Sequence, residues 1–256
     1  MSVIQSSLRG NNMRLYGKNP VIERLRSNPT TIKKIFIEDN FSEASYIHQK
    51  AKKWGISVFI ITRARMIKIA RNINTQGILV EVDDFVYTPY DELLEDARDK
   101  HKCILFLDEL NDPQNLGGII RSVACLGKFS IVLPTHDSVS VTDAVLRVAS
   151  GGDNYVKIAR VSNLTNAIKS AKDSDFEIAG AVVEGGESLI DVTFPYPLGL
   201  VVGSEQKGIR EVIRKHLDLQ VTIPMAAASG LSYNVTHATT MFCYEITRQK
   251  KLREKK

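Results

Sequence analysis

The 256-residue sequence predicts an α/β fold with a mostly parallel sheet, and three features carry that reading. Short apolar runs of strand length alternate with segments of helical spacing along nearly the whole chain. Hydrophobic residues make up 43% and charged residues 25%, a globular balance with enough apolar material for a core. Two apolar runs stop abruptly in clusters of turn formers, at residues 108–115 and 203–208, the kind of junction where α/β sheets hold ligands.

Taken in order, the first dozen residues are polar and read as unstructured. Residues 15–25 read as a helix capped at Asn19, with Pro20 in the first turn. Residues 34–38 and 56–61 are strand-like, the stretch 42–54 between them has helical spacing, and a helix begins at Thr62 before a strand at 77–82. This alternation predicts a small α/β domain over residues 12–88. Residues 89–101, acidic after Pro89, read as a linker or short helix. Strands at 104–108 and 130–133 and helices running to Gly127 and over 143–150 open a second domain, residues 102–250, with a sheet covered by helices on both faces. A basic tail, 251–256, follows.

Charge is distributed unevenly. Residues 1–88 carry 14 Lys/Arg against 7 Asp/Glu, a net +7; residues 89–246 carry 14 against 21, a net −7; residues 247–256 carry 6 against 1, a net +5. Basic ends around an acidic middle suit a polyanionic partner held outside the sheet domain, although the tail from Lys250 onward is better explained as solvated charge. No run is long enough for a membrane helix and no signal-peptide pattern is present. Cys103, Cys125 and Cys243 are odd in number and far apart, which predicts reduced thiols and a cytoplasmic location. Among the five histidines no metal-ligand spacing occurs, so no metal is expected.

The chemistry-bearing segment is Asp108-Glu-Leu-Asn-Asp-Pro-Gln-Asn-Leu-Gly-Gly-Ile-Ile-Arg121. Asn115 and Arg121 are six residues apart, so they cannot share one helix face; Asn115 in the loop and Arg121 on the helix could still face one site. A second segment runs from Leu198 through Gly203-Ser-Glu-Gln-Lys-Gly208. It is no P-loop, because Ile209 stands where lysine is required, and Ser204 lacks the frame of a nucleophile elbow. The absence of G-x-G-x-x-G excludes the common dinucleotide loop. What remains is a sharp turn at which backbone approaches a ligand closely. A third segment, Val221-Thr-Ile-Pro-Met225 and then Leu231-Ser-Tyr-Asn-Val-Thr-His-Ala238, leads into a helix. That helix carries apolar or small residues at Val235, Ala238, Met241, Phe242 and Ile246, a stripe suited to packing within the chain or against a second copy.

In this order and spacing the three segments resemble the motifs of the SpoU (TrmH-like) family of RNA 2′-O-ribose methyltransferases, in the SPOUT superfamily. The third departs from the usual Ser-Leu-Asn-Val-Ser, reading Ser232-Tyr-Asn-Val-Thr236, with Ala227 where glycine is common and one extra residue between Pro224 and Asn234. Tyr16-Gly-Lys-Asn-Pro-Val-Ile-Glu23 resembles the substrate-binding domain fused to some of these enzymes.

The resemblance implies a trefoil knot, an S-adenosylmethionine cofactor, an RNA substrate (ribosomal RNA at a guanosine ahead of transfer RNA) and a homodimer. It implies catalytic roles for Arg121, Asn115, Glu205 and Asn234. Arg121 acts on the 2′-hydroxyl or a phosphate, the two asparagines position ribose and loop, and Glu205 orients Asn115 or takes up the proton. Cofactor contacts fall to Gly203, Ile223, Met225, Ser232 and Tyr233. Phosphate contacts fall to Lys18, Arg24, Arg63 and Arg65, with Lys68 and Arg71 beside them. The alternatives are plain core packing for Ile223 and Met225, a helix-terminal carboxylate for Glu205, and a non-catalytic RNA-binding or ribosome-assembly factor for the whole chain.

Overall fold

The computed structural model describes residues 12–71, 73–226 and 231–254. The chain divides into two compact units, one built from residues 1–86 with 141–154 and the other from 87–140 with 155–256.

In the first unit, β1 (Met13–Tyr16) precedes α1 (Lys18–Ser27), followed by β2 (Ile32–Glu38), α2 (Ala44–Lys53), β3 (Ser57–Ile61), α3 (Arg63–Ala70) and β4 (Ile78–Val82). The sheet order is β1-β4-β2-β3. β2 and β3 are parallel, while β4 runs antiparallel to both β1 and β2. The α2 and α3 helices fall where their spacing put them, and the Thr62 hydroxyl caps α3 by accepting from the Arg65 amide. The opening differs from expectation. Residues 13–16 are a strand, because Leu15 and Tyr16 are buried against β4, and the cap of α1 is Gly17 in a positive-φ turn, with Asn19 inside the helix.

Residues 141–154 also belong to this unit and contribute α6 (Asp143–Ala149). Asp143 Oδ1 accepts from the Arg14 amide at 3.0 Å. Arg24 is buried and ion-paired with Asp153, itself 7% exposed. Burial pushes the carboxyls of Asp143 and Asp153 above the usual range, with the Arg14 and Arg24 neighbours opposing it.

The second unit opens with α4 (Tyr90–Asp99) and continues with β5 (Cys103–Leu107), α5 (Pro113–Leu126), β6 (Phe129–Pro134), β7 (Lys157–Val161), α7 (Leu164–Asp173), β8 (Glu177–Ala181) and β9 (Glu187–Ser188). β10 (Leu198–Val202), α8 (Glu211–Arg214), β11 (Leu219–Thr222) and α9 (Val235–Arg253) complete it. The segment that reads as a possible linker is thus a core helix, with Leu93, Leu94 and Ala97 buried in its amphipathic stripe. The sheet order is β7-β6-β5-β10-β8-β11-β9, and every neighbouring pair is parallel.

β5 is buried throughout, which explains its unbroken apolar run. Ile104 and Phe106 pack with residues of α4 and α7, so by the two-residue strand period Leu105 and Leu107 face the opposite side. Because all strands run one way, Leu107, Ala181, Val202 and Thr222 end at the same edge of the sheet.

Candidate active site

That carboxyl edge gathers the three motifs. Asp108, directly after β5, is fully buried and accepts from Arg210 three times: from its amide at 2.9 Å, from Nε at 2.8 Å and from Nη2 at 2.6 Å. Nothing in the sequence reading assigned this pair. It ties the loop before α5 to the loop after β10, and a charged fork against a carboxylate fixes orientation as well as distance. The Asp108 carboxylate, bonded to it, raises the Arg210 pKa further above its ordinary value.

The loop after β10 turns back immediately. A Cβ on Gly203 would lie 2.1 Å from the Gly208 carbonyl carbon, and Ser204 bridges Gly208, which takes φ 67°. Only glycine permits that approach, which holds Glu205 at the mouth of the edge.

Asn115 is not in the loop. It occupies the first turn of α5, behind the Asp112 cap and Pro113, and is 8% exposed. Its amide is the middle link of a chain whose direction follows from one obligate donor. The Thr236 backbone N–H donates to Asn234 Oδ1 at 2.9 Å, so the other end of that amide, Nδ2, is a donor; it gives its proton to Asn115 Oδ1 at 3.1 Å. Asn115 Nδ2 then donates to the Glu205 carboxylate. The Thr236 hydroxyl lies 3.1 Å from Asn115 Oδ1 and 3.2 Å from its main-chain oxygen, adding a second tie. Asn234 is the N-cap of α9, so the relay begins at a helix terminus that would otherwise leave its N–H groups open.

Three small residues given no role in the motifs, Gly118, Ser122 and Thr240, make this possible. A Cβ on Gly118 would meet Thr236 Cγ2 at 2.7 Å, so glycine there lets α9 lie close to α5. Thr240 Oγ1 and Ser122 Oγ, 2.9 Å apart, repeat the tie one turn further along. Short residues at a spacing of four on both helices were the available signal.

Three of the four expected catalytic residues are therefore joined: Asn115, Glu205 and Asn234. Arg121 is not part of the network. It stands on the same helix as Asn115, six residues on and on a different face, exposed and without a hydrogen-bond or ion-pair partner among the described residues.

All five expected cofactor residues (Gly203, Ile223, Met225, Ser232 and Tyr233) line one cleft, with Val183, Val235, Ala238 and Phe242 completing its wall. Ala227 and the extra residue of the third motif fall at or beside residues 227–230, outside the described set. The stripe on α9 resolves into two parts. Val235, Phe242 and Ile246 are buried in the unit's own interior, whereas Met241 (36% exposed) stays on the surface beside Tyr244 (61%).

In the first unit, Arg63 and Arg65 are exposed on α3 and Lys18 is ion-paired with Glu43. Arg24 is withdrawn from the phosphate-binding set. Its guanidinium is buried on Asp153 and on the Thr31 hydroxyl at 3.2 Å, so it serves packing. Among the described residues there is no cluster of three metal-ligating side chains and no helix long and apolar enough to cross a membrane.

A parallel sheet with a ligand cleft and a polar network at its carboxyl edge is the arrangement of an α/β enzyme. Residues 102–244 match the SpoU rRNA Methylase family model, and residues 14–88 match the model for RNA 2′-O ribose methyltransferase substrate binding. A Mycobacterium avium protein described as an "Uncharacterized tRNA/rRNA methyltransferase" is 34% identical over 238 residues, covering 92% of this chain and 77% of its own. The fold is similar to the AdoMet-bound rRNA methyltransferase of Sinorhizobium meliloti, with a TM-score of 0.76, 21% identity, and 93% and 87% of the two chains covered. It is also similar to AviRb of Streptomyces viridochromogenes in complex with AdoMet (TM-score 0.75, 19% identity, 96% and 93% covered). The chain belongs to the SpoU family and is a methyltransferase.

Proposed function

We propose that the chain transfers a methyl group from S-adenosylmethionine to a ribose 2′-oxygen of RNA, specifically to a guanosine of ribosomal RNA. The observation that carries the reading is the Asn115–Glu205–Asn234 relay at the rim of a cleft lined by all five expected cofactor residues. The cleft suits the cofactor: Gly203 is part of its wall, and Ile223, Met225, Tyr233 and Phe242 offer an apolar bed for an adenine ring. When bound, S-adenosylmethionine supplies an electrophilic methyl group on a sulfonium.

The protein's part is alignment and charge. Arg121 clamps a phosphate next to the target ribose and stabilises negative charge developing on the 2′-oxygen; a guanidinium gives up its own proton too reluctantly to be the base. Asn115 and Asn234, locked by their relay, hold the ribose side of the cleft, and Glu205 is a positioning residue that fixes the Asn115 amide. The 2′-hydroxyl proton leaves to solvent.

Ribosomal RNA is favoured over transfer RNA by the basic substrate-binding segment, and the guanosine by family resemblance. The trefoil knot belongs to the same reading. So does a homodimer, supported by the surface patch of Ile190, Met241 and Tyr244, of which Ile190 is 75% exposed. The free thiols of Cys103, Cys125 and Cys243 suit the cytoplasm. Transfer of label from S-adenosylmethionine to extracted ribosomal RNA, with ribose-methylation mapping, tests the activity; no transfer to any RNA defeats it. Light scattering tests the dimer, which fails if a fully active protein is monomeric.

A further inference from the structure

The amino edge of the same sheet holds a second cavity. Cys103 and Phe129 start parallel strands there, and the cavity is lined by Lys128, Lys250, Lys251 and Tyr196 among others. Strands of five residues at about 3.3 Å each separate it from the carboxyl edge by roughly 17 Å. It therefore cannot be part of the cofactor cleft.

Its charges are not balanced. Lys250 donates to the His101 carbonyl, Lys128 donates to the Lys100 carbonyl at 3.3 Å, and Arg253 donates to the Phe194 carbonyl at 2.6 Å. None of these three, nor Lys251, is in an ion pair with a carboxylate among the described residues. Lys250 and Arg253 also lie 5.8 and 5.1 Å from the centre of the Tyr196 ring. Glu254 also lines the cavity, but its influence on Lys250 is weaker than the opposing ones: burial first, then Lys128, hold the ammonium below its ordinary pKa.

The helix dipole accounts for Lys250, Lys251 and Arg253 in the last turn of α9. It does not account for Lys128, which comes from a different turn and takes φ 63°, a left-handed conformation that lysine rarely adopts. Two ammonium groups from separate elements thus line one cavity, neither in an ion pair among the described residues, with Glu254 as the acidic residue of its described lining.

We propose that this cavity is a phosphate site that holds a phosphodiester of the RNA substrate, away from the nucleotide being methylated. A phosphate would accept from Lys128, Lys250 and Lys251 together and relieve their mutual repulsion. The assignment rests on the RNA methyltransferase reading, and it gives the basic C-terminal turn a role in substrate binding.

The test uses the full chain and extracted ribosomal RNA, with filter binding between about 50 and 200 mM salt. Each phosphate contact contributes about 0.7 to 0.9 to the slope of log affinity against log salt. The Lys128→Gln, Lys250→Gln double variant is expected to bind RNA about 5- to 20-fold more weakly near 100 mM salt, with a slope shallower by about 0.7 to 0.9. Its affinity for S-adenosylmethionine should be unchanged. The control Lys169→Gln, Lys215→Gln, two exposed lysines elsewhere in the unit, should move the slope by less than half as much.

Acylation of lysines in the wild-type protein provides a reading that does not depend on a variant folding. RNA should protect Lys128 and Lys250 at concentrations where inorganic phosphate does not. An unchanged slope, an equal effect from the control pair, or protection by inorganic phosphate without protection by RNA overturns the assignment. Failure of the wild-type protein to bind any RNA defeats both readings; normal binding and methylation with an unchanged slope defeats only this one.

Discussion

The two edges of the seven-stranded sheet solve the same problem in opposite ways. At the carboxyl edge each side chain of the relay has a protein partner. The Thr236 amide feeds Asn234, Asn234 feeds Asn115, and Asn115 feeds Glu205, while Asp108 takes up Arg210. At the amino edge Lys100 and Lys102 are neutralised by Asp96, but Lys128 and Lys250 donate to main-chain oxygens and are in no ion pair among the described residues. A saturated network is rigid and can position a reacting group; an unsaturated cationic one has charge left for a ligand. Arg121 stands apart from both, a lone cation on the helix that carries the relay. That placement suits direct contact with a substrate anion.

The contrast can be broken most sharply at Arg121. Arg121→Ala should lower single-turnover methyl transfer by about 10²–10³ while leaving calorimetric affinity for S-adenosylmethionine nearly intact, since among the described residues no hydrogen bond links Arg121 to the cleft. Loss of cofactor binding, or near-normal turnover, removes its proposed role. Next comes Asn115→Ala, which cuts the relay at its centre. Turnover should drop by about 10- to 100-fold through misplacement. Denaturant unfolding should show a loss of about 1–2 kcal/mol, because the surviving partners, Glu205 and Asn234, are exposed and can turn to water.

Glu205→Gln separates orientation from proton transfer. The amide oxygen can still accept from Asn115, so turnover should fall by less than about 10-fold with an unchanged pH profile; a loss of about 10²–10⁴ would make Glu205 the proton acceptor instead.

The smallest effect is expected at the amino edge. Burial pushes the Asp96 carboxyl upward, but hydrogen bonds from Lys100, Lys102 and Lys157 prevail and hold it well below the usual carboxylate range. A depressed folded pKa means that its contribution to stability is fully present above the unfolded value of about 3.9 and is lost as pH falls towards the folded one. Asp96→Asn should therefore lower the denaturation midpoint slightly at neutral pH and make no difference in strong acid. A pH-independent loss would mean that packing, not charge, is the contribution of Asp96.

Local chemistry explains what could be read beforehand. The α2, α3 and α6 helices and the buried strands β5 and β10 announce themselves because period, caps and turn formers all lie within a few residues of one another. β1 was hidden because its four residues become a strand only when β4, more than sixty positions later, supplies the ladder. Arg24 read as a surface cation because arginine is seldom fully buried unless paired, and its partner is 129 residues away.

The sequence by itself determined the α/β class, the three motifs and the cluster of small and amide side chains, since each is a property of a short window. Only the tertiary structure decided that Asn115 sits inside a helix, that its amide joins residues 90 and 119 positions distant, and that Lys128 and Lys250 share a cavity. It likewise assigned residues 141–154 to the N-terminal unit. Those are consequences of where a parallel sheet brings its loops, and no local pattern encodes the distance between two loops until the strands beneath them have paired.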